Sequence, residues 1–288
     1  MKNKRMASFS CFFMVLILTF GLTMETKAEI VYEAKWNGFT YSSFYEEEFG
    51  IYSHSRIRID NYEGNARELT IPRKIMGRTV MEVNSLYGAQ NLRTLHIPNG
   101  IEVRYALSSA PKLKKITVSK KNRKYKVRNN ALLNKKGTKL LGYPGGYKTV
   151  KVPDSVIVID DMSCWYSDFT KIKWGKNTKR IGRGAFESNH GLRTLVVNKN
   201  VEIIEAFAFN GCSNLKKVVL GPKVKEVQYS AFEDCSKLKS VYIYNKNCEL
   251  DISDMDRTFP KGVTIYGKEG STAEKYARKF RLKFITVR

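Results

Sequence analysis

Short runs in which apolar and polar residues alternate recur along the chain: Leu69-Thr70-Ile71, Leu95-His96-Ile97, Ile116-Thr117-Val118, Val150-Lys151-Val152, Ile172-Lys173-Trp174 and Val263-Thr264-Ile265. Alternation of period two marks β-strands. Three further apolar runs open at Leu195, Val218 and Val241, which makes nine candidate strands separated by 26, 21, 34, 22, 23, 23, 23 and 22 residues. A near-constant period in that range predicts stacked coils, none of which can bury its apolar edge without its neighbours.

The unit is clearest where Ala185-Phe186, Ala208-Phe209 and Ala231-Phe232 are each followed, six positions after the phenylalanine, by Leu192, Leu215 and Leu238. An apolar residue stands four positions before each alanine, at Ile181, Ile204 and Val227. The one long interval holds Ala131-Leu132-Leu133 and Leu140-Leu141 around a polar turn with Gly137, the pattern of an inserted β-hairpin. The ends differ from the middle. Residues 30–65 are rich in Tyr and Phe and lack the repeat, whereas Ser271-Thr272-Ala273-Glu274 has the spacing of a helix-capping box.

Together these features predict an α/β-type repeat solenoid dominated by short parallel β-strands, with about nine coils, one inserted hairpin and a cap at each end. The expected boundaries are a signal peptide over 1–28, a β-rich cap over 29–55, the solenoid over 56–266 with the hairpin at about 122–146, and a C-terminal cap with a short helix over 267–288. The signal peptide is expected because Lys2, Lys4 and Arg5 precede the apolar run Cys11–Phe20 and the small-residue ending at Ala28. That run is too short to span a membrane, so a secreted protein, free or held at the wall, is expected, with no transmembrane span.

Charge sharpens the picture. The formal net charge is +24, and it is +21 without residues 1–28, which carry four cations and one anion. Such a field favours anionic partners, whether nucleic acid, acidic cell-wall polymers, sulfated glycans or acidic protein surfaces, and does not choose among them, though nucleic acid is not the partner expected.

The unit A-F-x-x-C-x-x-L-K-x-V, the L-x-I-P strands and the ending Tyr266-Gly267 to Ala277 resemble the BspA-like leucine-rich-repeat proteins of bacterial surfaces and secretions. The likeness is specific over 178–277 and looser back to Arg56, where Ile57-Arg58-Ile59 and Glu68-Leu69-Thr70-Ile71-Pro72 look like opening units. The resemblance implies a leucine-rich-repeat solenoid that binds proteins, including host or bacterial surface proteins, in adhesion. It implies no catalytic residue and no cofactor.

The position two before each strand's first apolar residue reads Arg67, Arg93, Lys114, Lys148, Thr170, Arg193, Lys216 and Lys239, seven of eight basic. Stacking should align them into a basic ladder, joined by Lys115, Lys171 and Lys217 one position later and by Lys173 on the outward alternation. This ladder is the candidate binding surface. Its partner is a protein, or alternatively an anionic wall polymer or glycan. Solvent-facing positions also need charge for solubility, which is the plain structural explanation of the same lysines. Tyr242 is expected to be exposed and to contribute an aromatic contact, and Trp174 to be buried.

Catalytic and metal chemistry find little support. His54, His96 and His190 have no metal-ligand spacing. Cys164 falls in the register of Phe186, so pairing with His190 as a nucleophile is a weaker account of it than core packing. Cys212 and Cys235 share one repeat position at a spacing a disulfide tolerates, but buried free thiols fit a core column better.

Overall fold

The computed structural model describes residues 33–46, 50–103, 105–251 and 257–287. The expected signal peptide lies outside them, as do residues 29–32 and 47–49 of the expected N-terminal cap. The described chain is a β-solenoid of about ten turns with almost no helix. The helix α1, Thr272–Lys279, is the helical part of what the sequence suggests as an α/β-type solenoid. Every other coil among the described residues is closed by turns.

Each regular coil contributes two strands to two separate parallel ladders. One ladder is built from the strands with alternating character. Leu195 pairs with Val218, Val218 with Val241, Val241 with Ile265 and Ile265 with Phe284, all in parallel register. The other joins two-residue strands, Val158–Ile159, Arg180–Ile181, Ile203–Ile204, Glu226–Val227 and Glu249–Leu250. Between the two strands the chain makes a recurring turn that holds the Ala-Phe pair between two left-handed residues. These are Gly184 and Ser188 (φ 58 and 55), Phe207 and Gly211 (59 and 66), and Ser230 and Asp234 (51 and 53). The same turn recurs at Met162 and Tyr166 (φ 50 and 48), with Cys164 in the place of the phenylalanine. The Cys164 N–H donates to Ala185 O as the Phe186 N–H donates to Ala208 O, which fixes that equivalence.

The turns aim the phenylalanines inward, where Phe186, Phe209, Phe232 and Phe259 form a fully buried column with centroids 5.3, 5.3 and 5.4 Å apart. At these separations ring contact adds to the burial of the apolar area itself. The column would end in an exposed aromatic face were it not closed by α1. Tyr276 meets Phe259 edge-on at 5.6 Å and its hydroxyl accepts the Phe259 N–H at 3.1 Å. The helix is held by its own chemistry. Ser271 Oγ accepts the Glu274 N–H, and the Glu274 carboxylate accepts the Gly270 N–H.

The expected hairpin is part of a three-stranded antiparallel meander, Tyr125–Arg128, Ala131–Asn134 and Lys139–Gly142. It does not leave the solenoid. Its last strand pairs in parallel with Val158–Ile159 and so starts the second ladder. Its middle strand is covered on both faces: Leu132 packs into a core made by residues 39–132, while Ala131 and Leu133 pack into a second core that runs to Phe280. The meander is therefore a septum between two cores. At the other end, the long strand Ile51–Tyr62 pairs with both the antiparallel strand Phe39–Glu46 and the parallel strand Arg78–Val83. It runs through position 55, so the segment expected as a cap shares a strand with the first coil.

Pro144-Gly145-Gly146, just after the meander, serves as the seam between the blocks. The Gly145 N–H donates to Leu107 O at 2.9 Å and the Gly146 N–H to Leu113 O at 2.8 Å. A Cβ on Gly145 would lie 2.2 Å from the Ser108 carbonyl oxygen. Gly145→Ala is therefore expected to lower stability by about 2 kcal/mol or more in chemical denaturation. Gly100→Ala, at φ 87 with nothing within 4 Å, should lose only about 1–2 kcal/mol from left-handed strain. A Gly145 variant no less stable than the Gly100 variant would contradict the seam.

Candidate binding face

Because coils repeat in register, equivalent side chains of the first ladder stand above one another at roughly 4.8 Å spacing. Three parallel rows result. The first carries Arg67, Arg93 and Lys114, then Lys148 and Thr170, then Arg193, Lys216 and Lys239, and its six arginines and lysines beyond Arg67 are exposed, as Arg67 is. Within each group the backbones are bonded directly: the Arg93 N–H donates to Arg67 O, Lys114 to Arg93, Thr170 to Lys148, Lys216 to Arg193 and Lys239 to Lys216. The ladder is thus three stacked segments, matching three separate sheets of three, two and five strands, where the sequence suggested one continuous run.

The second row, the first residue of each strand, adds Lys115, Lys171 and Lys217, all exposed. The third row points outward between buried neighbours. It reads Thr70, His96 and Thr117, then Lys151 and Lys173, then Val196, Val219, Tyr242, Tyr266 and Ile285. All eleven expected ladder residues therefore lie on the one strand face.

The electrostatics of this face differ from those of the second ladder. There, opposite charges pair: Glu202 stands 3.4 Å from Lys179 and 2.8 Å from Lys225, Asp160 stands 3.4 Å from Lys139, and Glu205 stands 2.9 Å from Arg180. Hydrogen bonds from Lys225 and Lys179 hold the Glu202 carboxyl below the usual carboxylate range. On the strand face, none of the eleven cations has a salt bridge to a carboxylate among the described residues. Solubility alone is served by the paired arrangement, which carries charge without repulsion. Like charges stacked a coil apart repel by about 1 kcal/mol in bulk water before salt screening.

Trp174 and Tyr242 depart from expectation in opposite senses, both being half-buried. Trp174 packs on the core with its ring 6.3 Å from Phe186, and its indole N–H donates to Val196 O at 2.8 Å. It bridges the gap between the strands Lys171–Lys173 and Thr194–Val196, which are not paired with each other. Tyr242 stacks on Tyr266 at 4.3 Å, and Lys217 Nζ lies 4.5 Å from its ring centre.

In the first segment His96 is held by Glu68 and Thr117, both at 2.6 Å, beside an open depression of about 390 Å³ lined by Thr70, Arg73, Pro98 and Lys121 among others. Cys164 is fully buried and burial pushes its thiol up to about 12, so no thiolate is available to pair with the exposed His190. Cys212 and Cys235 are free, buried thiols, set against Phe186 O and Phe209 O at 3.4 and 3.2 Å. Among the described residues no three or more His, Cys, Asp or Glu gather as metal ligands, and no helix is long and apolar enough to cross a membrane.

Two features escaped the sequence. The outward row is already apolar at Val196 and Val219, a change visible only as the loss of alternation in Leu195-Val196-Val197 and Val218-Val219-Leu220. Tyr87 and Tyr166, both exposed, meet edge-to-face at 5.4 Å although 79 positions apart. Tyr166 stands where other coils place Ser188, Gly211 and Asp234, which is the one signal the repeat offers for it.

Comparison with known families matches the BspA-type leucine-rich repeat, in six copies, over residues 143–253. Residues 143–253 are a BspA-type leucine-rich repeat region. The chain is similar to a leucine-rich repeat protein from Eubacterium ventriosum, with 26% identity over 71% of this chain and a TM-score of 0.53. It spans 58% of that protein's length. At lower scores it is similar to the pneumococcal vaccine antigen PcpA (14% identity, 91% of this chain and 100% of that one, TM-score 0.40) and to a leucine-rich repeat protein from Bacteroides ovatus (14%, 82% and 71%, 0.38). No curated protein matches the sequence.

The asymmetry of charge within the BspA-type coils has a thermodynamic signature. Lys216→Glu, between Arg193 and Lys239, should raise the melting temperature at low salt, and Lys225→Glu, which breaks the pair with Glu202, should lower it. The two shifts should shrink together as salt rises. Shifts of the same sign would contradict the division into an unpaired and a paired side.

Proposed function

We propose that this chain is an extracellular binding module, with no catalytic role, that engages a macromolecular partner along its strand face, the partner being a protein with an acidic surface. The single observation that carries this reading is the set of eleven exposed cations, none in a salt bridge among the described residues, stacked on one face of a repeat whose other side holds ion pairs. The extended, open shape of that face supports it, since a solenoid offers area where an enzyme needs an enclosed pocket. The bacterial surface-type family of the repeats supports secretion and adhesion as its setting.

A second reading is favoured by the middle coils, where Lys148, Lys151, Lys171 and Lys173 crowd together without an apolar neighbour on the outward row. Such a cluster suits an anionic wall polymer or glycan, which would hold the protein electrostatically at a surface.

The test is a charge-reversed variant, Arg193→Glu with Lys216→Glu and Lys239→Glu, measured against immobilised acidic protein and against anionic polymer, each over a salt series. Loss of binding with an undiminished melting temperature is the expected result. Binding to protein that persists at high salt distinguishes adhesion from retention on polymer, which should release with moderate salt. Unchanged binding by the variant would refute the assignment of the face.

A further inference from the structure

The strand face is not uniform. Over its last five strands the outward row is Val196, Val219, Tyr242, Tyr266 and Ile285, each opposite the next in parallel register. Val196 is 58% exposed, in a chain whose mean hydropathy is −0.38. Tyr244, at the end of the strand Ser240–Ile243, is 39% exposed beside the same row. Arg193, Lys216 and Lys239 run alongside as the first row, and Lys217 reaches over the Tyr242 ring. The stacked pair of Tyr242 and Tyr266 is already ordered, so little side-chain freedom remains to be lost when it is covered.

From this juxtaposition we propose that the last five strands form a composite docking site for an acidic polypeptide segment carrying apolar or aromatic side chains. Its carboxylates meet the row of Arg193, Lys216 and Lys239, and its apolar side chains cover Val196, Val219 and Tyr242. A polyphosphate or sulfated glycan would use the cations and leave the apolar row in water, so the row selects polypeptide. A neutral apolar peptide would leave the cations uncompensated. Charge complementarity and the continuous apolar row together define the occupant, as an anchor set rimmed by charge does at protein interfaces. This inference rests on the strand face being the binding face and adds which partner chemistry it takes.

The test compares the full chain's affinity for a glutamate–serine copolymer peptide and for a glutamate–tyrosine copolymer peptide of matched length and equal carboxylate number. The glutamate–tyrosine copolymer should bind at least about 10-fold more tightly. Val196→Ser combined with Tyr242→Thr should bring the two affinities together, with a cooperative melt checking the fold. The single variant Val196→Ser, at a position more than half exposed, should narrow the gap without any packing change. Equal affinity for the two peptides in the native chain, or a gap that survives in the double variant, overturns the composite site while leaving the cationic face standing. Failure of both peptides to bind overturns the site and the proposed function together.

Discussion

A coil of some two dozen residues with almost no helix cannot satisfy its own backbone polar groups, and leaving them unpaired in a core is costly. Here each coil's N–H groups donate to the coil beside it: Lys216 to Arg193, Phe209 to Ala231, Glu205 to Ile181, Gln228 to Ile204. This exchange between coils is the constraint from which the rest follows. It locks the register, and the register forces like side chains to stack on like, inside as a phenylalanine column and outside as rows of charge.

Stacking makes charge a choice that each row has to declare. Along the second ladder one row alternates, with Lys179, Glu202 and Lys225 in succession. Along the first, the same geometry stacks Arg193, Lys216 and Lys239 without an acid between them. A repeat could grow by duplication with either arrangement, but only the alternating one stabilises the folded chain. The unpaired rows weaken it slightly in isolation, a cost that the proposed anionic partner would offset on binding. The septum at Ala131–Asn134 and the seam at Gly145 join the two cores, so the segments of the face lie over both.

The repeat itself was plainly legible. Ala-Phe pairs at a period of 23, the capping box at Ser271 and the basic position before each strand are local patterns, and locality is what a sequence displays. The hairpin was legible as a hairpin, but not as a septum, because whether Leu132 and Leu133 face one core or two depends on coils over twenty residues away. The break of the ladder into three segments hides for the same reason, since it depends on pairing that Trp174 replaces with a side-chain hydrogen bond. Tyr242 was expected exposed because its strand alternates. Its half-burial comes from Tyr266, one coil on, which no alternation within a strand reveals.

On the proposed reading the strand face, and not the general basicity of the chain, carries binding. Lysine acetylation footprinting of the full chain, free and saturated with an acidic polypeptide, tests it most directly, with mass spectrometry reading each lysine separately. Lys171, Lys216, Lys217 and Lys239 should be protected, with Lys179 and Lys225 on the paired side labelled equally in both states. Protection spread evenly over both sets would contradict it, and would leave the net charge alone to explain any binding.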